Sequence, residues 1–347
     1  MSTLALSPIE VSPVSPVRPR GRAFDEVRTE VAARGALALP DVVLPFSRLR
    51  ATPEGKIALP GGEFALTDWS TRQLARIFGV RWDHWFDESR VSPTERAEEL
   101  NLRFRRTDGA MRVRSRLLAP GEKGAADGVL TAFVSPTYAP IDDARVFDRL
   151  AAALGSRTAD FRFLRVSLSD ATSQYVAVAE AAIDIGVRSF DPHLSGFLVA
   201  NSEVGARSLT AVIYLVRLIC TNGLVSYGAD SFRRIHRAAD DRALEAALSA
   251  FLSRLPAGWT TAAERLRAAR RIALPDPARA IQDAFAGAPT LRRHSDAALE
   301  ALNAEPDATL WGLVQSVTRA AQALAPEERF EMERFAGRLL VERGTRT

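Results

Sequence analysis

The chain has 347 residues and a mass of 37.8 kDa, more than one domain of ordinary size requires. Hydrophobic residues make up 47% and charged residues 25%, which excludes wholesale disorder. The longest apolar run, residues 211–219, contains Arg217 and is too short for a membrane helix, which needs about 20 residues. With one cysteine, Cys220, and four histidines, an internal disulfide and a multi-cysteine zinc site are excluded. We therefore expect a cytoplasmic protein without a membrane anchor, metal or other cofactor.

The basic residues are almost all arginine. Lysine and arginine together number 46 against 42 acidic residues, a formal net charge of +4 with a pI near 9.7. Lys56 and Lys123 are the two lysines, so 44 of the 46 are arginine. A guanidinium stays charged and binds phosphate with two parallel donors, which suits contact with nucleic acid. Because the net positive charge is small for a chain of this length, the clustering of the arginines is a better indicator of nucleic-acid binding than their number.

The chain begins with a basic arm, followed by short elements. Residues 1–22 contain four prolines and end in three arginines, which predicts a disordered arm. A core then extends over residues 23–237. In its first part Ser92 and Glu95 fit a helix capping box, with Pro93 at the first helical position. Apolar spacing and turn residues predict helices at about 24–34, 67–78 and 92–104 and strands at 42–50 and 56–59.

The middle of the chain has strand patterns, and the last third has helix patterns. Residues 110–118 and 128–134 flank a Gly-rich loop and predict a long hairpin. A helix at about 143–154 precedes four further strands. After residue 237 we expect helices that are separated by prolines. These helices lie at 240–254, 259–273, 277–286, 295–303, 308–324 and 326–342. We predict an α+β fold: a mostly antiparallel β-sheet core with flanking helices, then an all-helical carboxy-terminal region at 238–347.

Three arginines alternate along the segment 110–118. Side chains at alternate strand positions share a face, so Arg112, Arg114 and Arg116 would lie about 7 Å apart on one side of the sheet. Such a row of cations could neutralise the phosphates of a nucleic acid. The alternative is an ordinary solvated strand face whose arginines pair with acids on a neighbouring strand. Nearby strands offer few acidic partners, so both interpretations stay open. Arg103 and Arg105 lie just upstream and extend the predicted patch.

A second basic cluster contains Arg233, Arg234 and Arg237. These residues would continue the binding surface, while an exposed aromatic residue such as Tyr138 would stack on bases. The alternative for this cluster is the start of a helix with a solvated basic face.

A polar cluster follows one of the apolar strands. It consists of Asn201, Ser202 and Glu203, with Asn222 further along. Polar groups at a strand end can form a catalytic site, but more often they bond the backbone of a turn. Glu203 has no neighbouring histidine or second acid in the sequence, which is poor equipment for acid–base or metal chemistry. We therefore assign no catalytic or metal-binding residue, and an enzyme is the less favoured interpretation.

Two sequence motifs, together with their spacing along the chain, resemble those of a known family. Residues 132–142 (AFVSPTYAPID) resemble the FLSDRYRPLDN stretch of the phage/plasmid-like proteins grouped as domain of unknown function nine-three-two. Residues 201–205 (NSEVG) and 214–223 (YLVRLICTNG) are similar to the NSE-x-G and YRLVCTNG core of that family. Residues 234–237 (RIHR) fit its downstream basic segment. The resemblance covers about residues 63–237.

The resemblance implies a protein of a phage, plasmid or integrated element, a setting often associated with recombination genes and DNA handling. Thr137 and Ala139 stand where the family has arginines, so this turn is not expected to bind phosphate.

We predict a non-enzymatic nucleic-acid-binding protein whose partner is DNA. In its most specific form it binds or anneals single-stranded DNA as a homo-oligomer. Two alternatives stay open. One is an assembly or adaptor protein that uses the helical tail, and the other is a nucleic-acid-processing enzyme with a site around Glu203.

Overall fold

The fold is taken from a computed structural model that describes residues 21–81, 90–118, 128–185, 191–217, 223–225, 231–236 and 240–344. Nearly all of the predicted arm at 1–22 lies outside these residues, as do Asn222 and Arg237. The architecture is α+β, as predicted, with two sheets flanked by helices.

The first sheet has six strands, and two helices pack on it. The elements are β2 Val42–Pro45, β3 Arg50–Ala51, β4 Lys56–Leu59, β5 Gly62–Leu66, α2 Asp68–Ile77, α3 Pro93–Arg106, β6 Ala110–Leu117 and β7 Gly128–Val134. The strand order is β2-β6-β7-β5-β4-β3. The pairs are antiparallel except β5 with β7, and the predicted hairpin is the β6–β7 pair. Helices α2 and α3 meet the sheet around Leu74, Phe104 and Val113.

Local sequence signals set the starts of both helices. Thr67 caps α2 by accepting from the Ser70 amide. The predicted capping box of α3 is confirmed, because Ser92 and Glu95 each accept from the other's backbone amide. Strand β5 was not predicted; it is a short segment that follows β4 after a two-residue turn.

The second sheet has seven strands, all antiparallel. They are β1 Arg22–Ala23, β8 Phe161–Leu168, β9 Ser173–Asp184, β10 Pro192–Asn201, β11 Leu209–Arg217, β12 Gly223–Val225 and β13 Ser231–Arg234. The order is β1-β8-β9-β10-β11-β12, with β13 also paired to β11. The central strands β10 and β11 are buried along their whole length, except Thr210 on β11, because both sheet faces are covered. Strand β13 rules out the alternative in which Arg233 and Arg234 begin a helix.

Helices cover this sheet on both faces. They are α1 Phe24–Gly35, α4 Asp143–Leu154, α5 Asp241–Ala269, α6 Pro277–Ala286, α7 Ser295–Ala304, α8 Leu310–Ala320 and α9 Pro326–Gly344. Phe197 and Ile213 belong to the large hydrophobic cluster that includes α1, α4 and α5, whereas Leu198 and Tyr214 belong to a separate cluster with Phe330 of α9. The predicted boundary at 237/238 falls at residues outside the described ranges, and the helices beyond it share the large cluster with the sheet.

One helix replaces two that were predicted. The sequence predicts that Pro256 separates helices at 240–254 and 259–273, but α5 continues through this proline. An internal proline removes a backbone hydrogen bond. Tight packing on both sides offsets this loss: Leu255 is fully buried, and the Trp259 Nε1–H donates to the Gly196 carbonyl at 2.8 Å.

Gly223 is required by a close approach of side chains. A Cβ at this position would lie 1.6 Å from the Tyr214 hydroxyl and 2.8 Å from Glu333 Oε1. Neither neighbour can move away easily, because Tyr214 and Glu333 are both buried and Glu333 accepts from Arg165 at 3.2 Å and Arg329 at 2.8 Å. The glycine of the sequence motif is thus explained by packing.

Replacing Gly223 with alanine should lower the free energy of unfolding by about 3 kcal/mol, because the added methyl group overpacks the Tyr214–Glu333 contact. Urea denaturation followed by circular dichroism measures this. Gly287→Ala is the matched control, since its Cβ would meet nothing closer than 3.4 Å and φ is −76°. Equal midpoints for the two variants would contradict the packing explanation.

Candidate functional site

Arg114 lies buried between the two sheets. Its guanidinium donates to Asp41 Oδ1 at 3.0 Å, to Asp142 Oδ1 at 2.8 Å and to the carbonyl oxygen of Glu203. Burial alone would lower the pKa of Arg114, but the charges and hydrogen bonds of the two aspartates outweigh burial and raise it. This arginine therefore joins β6 of the first sheet to the turn that follows β10 of the second.

The other arginines of β6 and α3 that are predicted to contact nucleic acid differ in their surroundings. Arg112 contacts Asp41 at 3.5 Å and donates to the Pro136 carbonyl at 3.0 Å. Arg116 donates to the Leu117 carbonyl. Upstream, Arg103 is bonded to Glu99 and to the Phe78 carbonyl, and Arg105 is exposed at the end of α3.

The expectation of few acidic partners is wrong for Arg112 and Arg114. Both reach Asp41, so these two arginines do share a face. Asp41 directly precedes β2, whose Val42 pairs with Val113, and this register brings the aspartate opposite Arg114. The carboxylate is about 70 residues away in sequence, which is why strand periodicity alone did not reveal it.

The polar cluster after β10 bonds the backbone and the start of α4. Asn201 is fully buried, and its Nδ2 donates to the Ile141 carbonyl at 2.7 Å and to Asp143 Oδ1 at 2.8 Å. Ser202 Oγ donates to the Ala171 carbonyl at 2.7 Å. The Glu203 carboxylate accepts from the Asp143 amide at 2.7 Å, so it caps the helix from outside.

Asp143 is a buried carboxylate next to Glu203. It accepts hydrogen bonds from the hydroxyls of Ser173 at 2.9 Å and Tyr175 at 2.7 Å as well as from Asn201. Burial, followed by the negative charges of Asp143 and Asp142, raises the pKa of Glu203 to about 7. The second acid near Glu203, which the sequence did not indicate, is therefore present in the fold.

Glu203 and Arg114 line a groove of about 900 Å³, here called the inter-sheet groove. Arginines and acids line it in equal number, among them Arg34, Asp142 and Asp170. The balance of charge means that this groove has no strong preference for an anion or a cation. In the part of the chain that the structure describes, no group of three histidine, cysteine or acidic side chains is arranged to hold a metal ion.

A second groove, of about 1060 Å³, lies along strand β13 and is here called the β13 groove. Tyr138 and His236 line it as stacked rings, with centroids 5.2 Å apart and planes 9° from parallel. Tyr138 is half-buried rather than exposed as predicted, because His236 covers one ring face and the Tyr138 hydroxyl donates to the Ser202 carbonyl at 3.1 Å. Burial is the main reason that the pKa of Tyr138 is raised.

Cations line the same groove from three elements. Arg233 on β13 is exposed, and its Nε donates to Ser208 Oγ at 3.2 Å. Arg207 lies in the turn after β10, and Arg334 lies on α9. Arg234 is half-buried on β13. Sequence reasoning missed Arg207 and Arg334, because each is a single arginine outside any cluster.

Residues 131–336, more than half of the chain, match a family model described as Domain of unknown function (DUF932). The chain belongs to this family, which confirms the resemblance seen in the sequence motifs. The match begins later than expected and extends over the carboxy-terminal helices into α9. No curated protein and no solved structure matches the chain.

Within the ranges covered by the structure, no helix is both long enough and apolar enough to span a bilayer.

Replacing Arg114 with methionine should lower the free energy of unfolding by about 3 kcal/mol, because Asp41 and Asp142 would lose their shared counter-charge. Thermal and urea denaturation measure this. Arg105→Met, at an exposed position of α3, should change stability by less than about 0.5 kcal/mol. If the two variants unfold alike, Arg114 does not join the sheets.

The stability of the Glu203→Gln variant relative to wild type should be greater at high pH than at low pH. The pKa of Glu203 is raised to about 7 in the fold, so its contribution to stability is complete below about pH 4.5 and is lost as the pH rises through 7. Glutamine keeps an acceptor for the Asp143 amide and does not titrate. The stability of Glu203→Gln relative to wild type should therefore rise by about 2 kcal/mol between pH 5 and pH 8.

Urea denaturation at a series of pH values tests this. The titration of His236, whose pKa is lowered mainly by burial, occurs in both proteins and cancels in the difference. Glu98→Gln, at an exposed position of α3, is the control for the loss of a carboxyl group elsewhere in the chain. A flat difference for Glu203→Gln would mean that this carboxyl titrates normally.

Proposed function

We propose that the protein is a non-enzymatic nucleic-acid-binding protein of a phage, plasmid or integrated element, and that it binds single-stranded DNA in the β13 groove as a homo-oligomer. The observation that carries the proposal is that Arg207 and Arg233 line this groove without a carboxylate partner among the described residues. Such cations are available to phosphates, unlike Arg112 and Arg114.

The acids of the groove are already engaged. Glu331 accepts from Arg334 at 3.3 Å. Glu327 accepts from the hydroxyls of Ser169, at 3.1 Å, and Thr172. These two carboxylates therefore do not neutralise Arg207 or Arg233 directly, and the three arginines of the groove outnumber its two acids.

Apolar side chains lie between the cations. Val212, Val225 and Ile235 line the groove together with the Tyr138 ring. Ile235 is 52% exposed and lies two positions after Arg233, just beyond the end of β13. Cations beside apolar and aromatic surfaces suit unpaired bases on a phosphate backbone, whereas a duplex keeps its base faces stacked inside. This pattern favours a single strand.

Wild-type protein should bind a short labelled single-stranded oligonucleotide, with affinity falling steeply between about 50 and 200 mM salt. Arg233→Gln should weaken binding about tenfold for any sequence and reduce the salt dependence by about one ion, since one phosphate contact is lost. Fluorescence anisotropy measures both effects, with duplex DNA and RNA of the same sequence as competitors.

Arg254→Gln is the matched control, because Arg254 is an exposed arginine of α5 that does not line the groove. It should bind like wild type. Absence of any nucleic-acid binding by the wild type at about 50 mM salt would overturn the proposed function.

A further inference from the structure

Arg207 is a half-buried cation whose guanidinium makes no hydrogen bond to any described residue. It lines the β13 groove, with its guanidinium carbon 4.4 Å from the centre of the Phe330 ring. Its Nε is fully buried and has no acceptor in the described part of the chain. Burial lowers the pKa of Arg207, as expected for a guanidinium taken from water without a bonded anion. An incompletely neutralised charge of this kind indicates a missing anionic partner.

The charged neighbours of Arg207 do not supply that partner. Glu331 and Glu327 are near enough to favour its charge, but they are bonded to Arg334 and to two hydroxyls, respectively. Arg334 opposes the charge. The Phe330 ring contributes a cation–π contact, which has no acceptor for the guanidinium N–H groups.

A buried imidazole beside this turn is neutral and adds no charge to the groove. His236 is 6% exposed, and its Nδ1 accepts from the Ile141 amide at 3.1 Å, so a neutral ring carries its proton on Nε2. Burial, followed by the charge of Arg114, lowers the pKa of His236 to about 4, which keeps the ring neutral at pH 7. Nε2 has no hydrogen bond of normal geometry to the described residues, although the Arg207 carbonyl lies close enough to favour its proton.

We infer that the guanidinium of Arg207 forms a subsite for one phosphate group in the β13 groove, beside the stacked rings of Tyr138 and His236. The inference rests on the proposed function, which makes a phosphodiester of DNA the ligand. A phosphate group offers several acceptor oxygens, so it can take two parallel donors from one guanidinium. Arg233 lines the same groove and favours an anion there.

The subsite has a consequence that a purely structural arginine would not have. Without a ligand the charge of Arg207 opposes folding, so a neutral side chain of similar length should leave stability unchanged or improve it. Methionine suits this purpose, because its thioether can keep the contact with Phe330. Arg207→Met should therefore separate binding from stability.

The experiment measures melting temperature with and without inorganic phosphate, against chloride at equal ionic strength. Phosphate should raise the melting temperature of the wild type but not that of Arg207→Met. Arg207→Met should also bind single-stranded oligonucleotide at least about tenfold more weakly.

The outcomes separate the subsite from the proposed function. If Arg207→Met melts at a clearly lower temperature and phosphate protects both proteins equally, Arg207 is structural and the subsite does not exist. If oligonucleotide binds both proteins equally, the subsite is wrong while the proposed function stands. If phosphate protection depends on Arg207 but no nucleic acid binds, the subsite stands for a small phosphate compound and the proposed function falls.

Discussion

The contact of Arg114 with two aspartates is the interaction on which the rest of the molecule depends. It brings together β6, the segment before β2, the residue before α4 and the turn after β10. A buried guanidinium is tolerated only when its donors are satisfied, so all these segments must keep their places together. The turn it bonds contains Glu203 and leads directly to Arg207. The geometry of both grooves thus depends on one ion-pair cluster.

Local structure could be predicted from the sequence where the signal is local. The capping box at Ser92 and Glu95, the β6–β7 hairpin and most carboxy-terminal helices follow from spacing within about 20 residues. Long-range pairing could not be predicted in this way. Asp41 meets Arg114 only because β2 pairs with β6, and Pro256 is accommodated only because α5 packs on the second sheet.

In the candidate site, too, the sequence indicated local features but not the contacts between distant segments. The motif residues Asn201 to Glu203 were recognised, but their role in holding the start of α4 depends on Asp143, which folding brings to them from about 60 residues away. The reason for Gly223 likewise lies in the position of the Tyr214 hydroxyl. Arg207 had no signal in the sequence, because what distinguishes its guanidinium is the lack of a bonded partner among the residues that the structure describes.

The hydrophobic cluster shared by the second sheet and the carboxy-terminal helices has a consequence for how the protein can evolve. Ile213 of the sheet and Leu248 of α5 lie in one continuous interior, so neither layer is covered without the other. Proteolysis or a premature stop codon after the sheet would leave that interior open to water. We therefore expect the helices to be inherited with the sheet as one module, and not to be exchanged between proteins as a separate tail.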